Sequence, residues 1–575
     1  MPDHASNRMV TRFAREAVAG GETATGHRLA AWPGLAGGAV IVAITTLIVG
    51  FHLGRYGLWE PDESRYAEIA REMLAMHDFV VPHLNYVSYI EKPPLLYWLT
   101  VCWMKLFGVN ELAARLTPAI AAVGGTLATY VFAMRAMDRR RAFAAGLILA
   151  TMPLYAVMAQ VLTTDLLLTT TVTVATLAFY LHWVEGGRWC WIAYLATAMA
   201  VLTKGPVGAV LPCLIMIAFL LWEHDLRGVL RRFHVFAGLA IVIAIAAPWF
   251  IYMTLRVPGY FQFYFIGEHL RRFLQSGYSH GEPIYYYVPV IIAGILPWSI
   301  LAVFLDWRTI RLDAPRRFCL IAAITILVFF SLASAKLIPY VLPALPPIAV
   351  ILGDAIITTI DNRPRRLLIA MPILGLFGAT AAIVAIYAAD FRGPYLVPAS
   401  PALEAIAIIG LVAGAAGAAL FFANRYIGEL AMGLMALAIT LMLIAGTWGR
   451  LAVEPLRSYA KLGREVAAAA PNATLVCYKR YVQALPFYAH RRVILAGAQT
   501  ELSFGASAAP DARQWFFDGR RSSILRLWRR PGSVVVVLDQ ADLDRLKKDL
   551  GPFTVIGSEF KKRAILKSTK ARSGN

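Results

Sequence analysis

The chain has 575 residues, 59% of them hydrophobic, and a formal charge of +20, whereas soluble domains average about 45–50% apolar. The excess lies in runs of roughly 17–22 residues, the length that crosses a hydrocarbon core of about 30 Å, which excludes a soluble globular protein. The basic residues punctuate those runs, which argues against a nucleic-acid surface, and five cysteines without CxxC spacing exclude a disulfide framework and a cysteine metal site.

The first 30 or so residues are polar, carry Arg8, Arg12, Arg15 and Arg28, and lack the short apolar core and small-residue cleavage site of a signal peptide. The run around Val40–Phe51 is therefore read as a retained first span. Arginine clusters at 139–141, 188, 227–232, 308–317, 363–366 and 425 separate the later apolar runs. If all are cytoplasmic, each lies two spans from the next. Spans are then expected near 36–53, 116–135, 142–160, 166–184, 190–203, 206–222, 235–254, 284–305, 318–334, 344–360, 367–387, 403–423 and 427–447. The expected fold is a polytopic α-helical membrane protein of about 13 transmembrane helices. It comprises a cytoplasmic tail (1–35), a transmembrane region (36–447) with a large first outer loop (54–115), and a soluble α/β domain (448–575) on the far side.

The first outer loop opens with LWEPDESRYAEIARE, from Leu58 to Glu72. Pro61 suits a first helical position, and Asp62 and Glu63 suit the first turn, where free N–H groups and the macrodipole favour negative charge. Tyr66, Ile69 and Met73 recur at helical spacing, predicting an amphipathic helix lying on the membrane. Arg65–Glu68 and Glu68–Arg71 would pair on its wet side. Further on, YIEKPPLLYW sets Tyr89, Glu91 and Lys92 before two prolines, which hold the backbone extended or turned. LTTDLLL puts Asp165 at the mouth of a span, LTKGPVG places Lys204 between two apolar runs, and ASAKLIPYVLPALPP carries Lys336 and Tyr340.

After the last span, Lys461–Ala470 and Ala541–Leu550 read as helices, and NATLVCY and Val534–Leu538 as strands. From Arg457 onward there are 22 Lys and Arg against 9 Asp and Glu, a net +13 (22 − 9). Such a domain beside a membrane favours anionic lipid or lipid-phosphate surfaces. WFF at 515–517 and LRLWRR at 525–530 interleave aromatic and basic residues as an interfacial segment would.

Ionisable groups at one membrane face are functional candidates by default, and no P-loop or HExxH accompanies them. A lipid-phosphate sugar donor fits. Its phosphate needs cations as it departs, its sugar needs carboxylates, and its tail stays in the bilayer.

Together, LWEPDESRYAEIAREML, EKPPLLYW, TTD, TKGP and SAKLIPYVLPALPP resemble the GT-C glycosyltransferases related to protein O-mannosyltransferases. They are most similar to the undecaprenyl phosphate-4-amino-4-deoxy-L-arabinose arabinosyl transferases, which modify lipid A. The resemblance implies an inverting pentosyltransferase that moves aminoarabinose from undecaprenyl phosphate to lipid A of lipopolysaccharide, giving resistance to polymyxin and cationic peptides. It implies Asp62 and Asp165 at the reacting centre. Arg65, Tyr66, Tyr89, Glu91 and Lys92 would border the pocket, Lys336 and Tyr340 would take phosphate, and Lys204 would be a neighbouring cation. The expected setting is the bacterial inner membrane, with a monomer whose active site and C-terminal domain face the periplasm among membrane lipids. No cofactor is required by this reading. A divalent ion, Zn²⁺ or Mn²⁺, has Glu91, Glu268, His269 and His280 as candidate ligands, although their spacing is not diagnostic. Mannosyl transfer to protein or another glycan is the nearest alternative, and a lipid-linked sugar transporter or flippase is the rival from another class.

Overall fold

A computed structural model describes residues 31–226, 232–271, 282–310, 312–363, 396–422, 428–497, 501–559 and 561–567, with 366 and 380. Its described residues include six helices long and apolar enough to cross a membrane: Glu111–Ala136, Thr164–Glu185, Val235–Arg256, Ala314–Leu332, Ile338–Asn362 and Met432–Arg457. Shorter apolar helices include Leu35–Gly50, Trp189–Lys204 and Val207–Trp222. The chain is thus a multi-pass helical membrane protein with a C-terminal α/β domain.

Two expected spans are broken. The stretch near 284–305 forms Tyr287–Gly294 and Trp298–Ala302, each too short to cross a bilayer. The stretch near 142–160 divides into Arg139–Thr151 and Pro153–Met158. Pro297 and Pro153 stand at these breaks, and a proline lacks the N–H that would carry a helix through. The expected span at 367–387 lies almost wholly outside the described residues. The last long helix runs from Gly428 to Arg457, so the boundary expected at 448 falls inside it.

The arginine clusters converge at one end of the bundle. Arg141 and Arg316 share the buried Asp354 at 2.5 and 2.7 Å, Arg317 pairs with Glu223 at 2.7 Å, and Arg140 with Asp361 at 2.8 Å. Helix ends bearing Asp165, Lys204 and Lys336 lie at the other end, together with the first loop.

That loop holds the helix Asp62–Met76, a hairpin of β1 (His83–Leu84) and β2 (Val87–Ser88), and the helix Leu95–Phe107. Asn85 and Tyr86 turn the hairpin with φ of 54° and 61°, the left-handed pair that a tight two-residue turn requires.

The soluble domain is a six-stranded sheet of order β5-β4-β3-β6-β8-β7. Its strands are β3 (Thr474–Tyr478), β4 (Ile494–Ala496), β5 (Phe516–Phe517), β6 (Val534–Asp539), β7 (Phe553–Glu559) and β8 (Lys562–Lys567). Strands β5, β4, β3 and β6 pair in parallel, and β8 pairs antiparallel with β6 and β7. Side chains alternate along a strand, so β3 sends Leu475 and Cys477 to one face and Val476 and Tyr478 to the other. Helices Arg521–Trp528 and Gln540–Leu550 cover the second face with Ile524, Leu527, Trp528, Leu543 and Leu546.

The first face shares one continuous core with the outer loop, in which Leu475, Val535 and Phe487 join Ile69, Met73, Leu96 and Val101. Two sequence expectations fail here for one reason. Asp62–Met76 does not lie on the membrane with a wet side, because the sheet domain covers it. Glu68 and Arg71 do pair, at 2.6 Å, but at 0% and 5% side-chain exposure, while Arg65 turns to other partners. The aromatics near 515–530 are not interfacial anchors either: Trp528 is buried, and Trp515 and Phe517 pack on the domain's own core.

Polar contacts seal the joint. Asn85 exchanges two hydrogen bonds with the Val493 backbone at 2.9 and 3.0 Å, and Trp59 pairs with Ser458 in an antiparallel bridge. Gly57 packs where a Cβ would overlap Ser458 and Ala460. Gly57→Ala is expected to lower stability by about 1–3 kcal/mol, the range for overpacking. Thermal unfolding together with limited proteolysis around 450–460 checks this: earlier melting and faster cleavage are expected.

Candidate active site

The site begins with a buried knot. Arg115, on the helix Glu111–Ala136, has no exposed surface. It donates to both oxygens of Glu63 at 2.8 Å and to the carbonyls of Leu53, Tyr56 and Gly57 at 2.8–3.1 Å, with its guanidinium 3.8 Å from the Tyr56 ring centroid. Glu63 also accepts from the N–H groups of Trp59 and Leu162, each at 3.0 Å. Burial alone would raise the Glu63 carboxyl, but Arg115 and these donors outweigh it and hold it below its ordinary value. One ion pair therefore fixes the chain ahead of Asp62 and the chain ahead of Asp165.

Asp62, in the first turn of its helix, forms an ion pair with Arg65. Arg65 also pairs at 2.9 Å with Glu501, which comes from the soluble domain, and its guanidinium lies 5.5 and 6.0 Å from the Tyr66 and Tyr89 ring centroids. Tyr89 donates to Glu91 at 2.7 Å. At the mouth of the helix Thr164–Glu185, Asp165 is paired with Lys204, whose ammonium sits 4.4 Å from the Tyr340 ring centroid.

Tyr66 joins these groups. Burial pushes its hydroxyl well above the ordinary tyrosine value; Arg65 opposes this, while the charges of Asp62, Asp165 and Glu91 add to it. Tyr66 thus stands within electrostatic reach of carboxylates from three segments of the chain. Two nearby donors, Arg65 Nε and the Tyr97 hydroxyl, are buried with no hydrogen-bond partner among the described residues.

Lys336 is placed differently from the other cations. Its ammonium donates to the carbonyls of Glu282 and Ala333 at 2.9 and 2.8 Å, which occupies two of its three donor hydrogens. Lys92 is partly buried in the segment that follows Glu91. Glu268 and His269 lie in the π-helical stretch Gln262–Arg271, but their side chains, like all of His280, are outside the described residues. Among the described residues no three His, Cys, Asp or Glu side chains gather as metal ligands would. Asp62 and Asp165 are each compensated by a cation.

Glu501 was not legible in the sequence, where it follows a segment without a motif. Glu60, which the sequence offers as a helix-start acid beside Asp62 and Glu63, instead accepts from the N–H groups of Gln483 and Ala484 at 3.2 and 2.5 Å across the domain joint.

Residues 91–252 match the family model described as dolichyl-phosphate-mannose-protein mannosyltransferase, and residues 462–567 match the aminoarabinose transferase C-terminal domain. An undecaprenyl phosphate-alpha-4-amino-4-deoxy-L-arabinose arabinosyl transferase of Pseudomonas fluorescens is 33% identical over 60% of this chain and 61% of its own. Its counterpart in Aeromonas salmonicida is 34% identical over 56% and 60%. The structure superimposes on ArnT from Cupriavidus metallidurans bound to undecaprenyl phosphate with a TM-score of 0.82 and 27% identity, over 92% of this chain and 98% of that one.

This chain shares the fold of ArnT and is similar in sequence to the aminoarabinose transferases. The sequence alignments span about three fifths of those two curated aminoarabinose transferases, 61% and 60%. The mannosyltransferase match contains Glu91, Lys92, Asp165 and Lys204, whereas Gln483 and Glu501 fall in the aminoarabinose transferase match.

Arg115→Met is expected to cost about 3–5 kcal/mol, because Glu63 would remain as an uncompensated buried charge. A double Glu63→Met, Arg115→Met variant should recover most of that loss in thermal unfolding. Glu60 makes a second prediction. Burial pushes its carboxyl from an ordinary value near 4.5 up to about 7, against the pull of the two N–H groups. The folded state then holds the proton more tightly than the unfolded chain. Its contribution is fully present below about pH 4.5 and is lost as pH rises through about 7. Wild type should lose more melting temperature than Glu60→Gln between about pH 5 and pH 8.

Proposed function

We propose that this protein transfers 4-amino-4-deoxy-L-arabinose from undecaprenyl phosphate to a phosphate of lipid A, with inversion at the sugar. In this reading it is a monomer of about 13 spans in the bacterial inner membrane. The pocket and soluble domain face the periplasm, and the transferred ammonium lowers the surface charge that polymyxin and cationic peptides seek. The observation that carries the reading is a set of contacts in the outer loops: Asp62 paired with Arg65, whose guanidinium lies beside the Tyr66 and Tyr89 rings, Tyr89 bonded to Glu91, and Asp165 paired with Lys204 beside Tyr340. The similarity to ArnT, whose structure is described as bound to undecaprenyl phosphate, supports the same donor here.

An oxygen of the acceptor phosphate forms the new bond to the anomeric carbon. The bond from that carbon to the donor phosphate oxygen breaks, and its electron pair leaves with undecaprenyl phosphate. A phosphomonoester is already ionised near neutral pH, its second pKa being about 6, so no general base is required. The carboxylates stabilise positive charge that develops on the sugar and meet its ammonium. Arg65, with its free Nε, and Lys204, Lys92, Lys336 and Tyr340 hold the departing phosphate. The rate comes from positioning and from charge stabilisation in a preorganised pocket.

The match of residues 91–252 to the mannosyltransferase model favours one second reading, mannosyl transfer to protein. Purified protein supplied with each polyprenyl-phosphate sugar separates the two by product mass. Lipid A should gain one aminopentose, whereas a hexose on peptide and none on lipid A would overturn the assignment. Asp62→Asn and Asp165→Asn should each lower the transfer rate by a factor on the order of 100 or more, as loss of a preorganised charge does. Near-full activity with the pocket intact would remove them from the reacting centre. Activity should survive exhaustive chelation, since both acids already have cationic partners. Loss with recovery on adding Zn²⁺ or Mn²⁺ would instead point to Glu91, Glu268 and His269 as ligands.

A further inference from the structure

The arginine-rich end of the bundle, opposite the candidate active site, holds a groove of about 560 Å³. It lies among the start of the first helix (Ala31–Gly50), the end of Glu111–Ala136, the start of Arg139–Thr151 and the start of the last long helix (Gly428–Arg457). Val40, Phe143, Ile357 and Met432 make its walls apolar, and Tyr130, Arg139 and Arg140 complete its lining. Val40 is 46% exposed, so the groove opens to the outside of the bundle, where a membrane would present acyl chains. The wall is closely built: a Cβ at Gly37 would come within 2.7 Å of the Tyr130 hydroxyl.

The arginines packed around this end have carboxylate partners. Arg140 pairs with Asp361, Arg141 with Asp138 and Asp354, Arg316 with Asp313 and Asp354, and Arg317 with Glu223. Arg139 is exposed, and among the described residues it has no carboxylate within ion-pair reach. A basic residue at a helix end needs no ligand by itself. Arg139 is set apart by standing, unbalanced, on the rim of an apolar groove that opens among membrane helices. That combination complements an anionic phospholipid, whose chain would cover the apolar walls and whose phosphate would meet the guanidinium fork. A zwitterionic lipid carries its own cation and gains less from Arg139, and a free phosphate leaves the apolar walls uncovered.

We infer that this groove binds an anionic phospholipid of the leaflet opposite the candidate active site, with an acyl chain against Val40, Phe143 and Met432 and the phosphate on Arg139. This lipid is neither the donor nor the acceptor of the transfer proposed above. The groove separates the start of the first helix from the start of the last long one. At their other ends the first leads into Tyr56 and Asp62, and the last leads to Ser458, which pairs with Trp59. A lipid seated in the groove ties together the two helices that frame the outer loop and stabilises the fold without touching substrate.

The full-length protein, delipidated in neutral detergent, provides the test. Dioleoyl phosphatidylglycerol, dioleoyl phosphatidylcholine and glycerol phosphate are the probes, read by adducts in native mass spectrometry and by thermal unfolding. Wild type should hold phosphatidylglycerol about fivefold more tightly than phosphatidylcholine, the worth of one basic side chain beside an anionic lipid, and should melt at a higher temperature with it. Arg139→Gln should abolish that preference. Gly433→Phe should lose the tight adduct with either lipid; an added Cβ at Gly433 meets no atom within 4 Å, so the ring enters the groove without displacing backbone. On wild type, phosphatidylglycerol with a photoactivatable chain should cross-link to residues 36–40, Phe143 and Met432. Equal affinity of wild type for the two diacyl lipids, cross-links spread around the bundle, or displacement of the lipid by glycerol phosphate alone would each overturn the site. All three are read on wild type, so they decide the matter even where a variant fails to fold.

Discussion

The buried pair of Glu63 and Arg115 is the constraint on which the rest of the site depends. Two charges removed from water are tolerated only when geometry and extra hydrogen bonds compensate for lost hydration. Here the guanidinium is saturated by two carboxylate oxygens and three carbonyls, and the carboxylate by two further N–H groups. Those partners come from the end of the first helix, the start of the outer-loop helix and the segment before Asp165. Because an unsatisfied member would be costly, all three segments are held in one arrangement. Asp62 and Asp165 inherit that arrangement through one and three intervening bonds of chain from Glu63 and Leu162, respectively.

A membrane bundle alone does not complete the pocket. The face of the sheet that carries Leu475 and Val535 shares a core with Ile69 and Met73 of the outer-loop helix, and Glu501 reaches Arg65 across that joint. Burial on both sides explains why Glu68 and Arg71 pair away from water and why Glu60 has a raised carboxyl. The soluble domain thus excludes solvent from the helix beyond Asp62, which strengthens the buried Glu68–Arg71 pair.

Charge balance differs between the two acids. Asp165 pairs one to one with Lys204, whereas Asp62 shares Arg65 with Glu501, two carboxylates to one guanidinium.

Much of this was readable from residues in order. Apolar runs of spanning length, arginines between them, and acids beside prolines in the outer loops are local signals, because hydropathy and chain stiffness act over a few residues. They singled out Asp62, Glu91, Asp165, Lys204 and Tyr340 as candidates and gave the α/β character of the last domain. The breaks at Pro153 and Pro297, the dry setting of Glu68 and Arg71, and the core role of Trp528 were not visible, since each depends on what packs against the segment. Glu501 and Arg115 are ordinary charged residues in sequence. Only the fold, by bringing chain more than 50 and more than 400 positions away against Glu63 and Arg65, decided that one would lock the loops and the other would enter the pocket. A long-range ion pair leaves no periodicity in the chain that makes it.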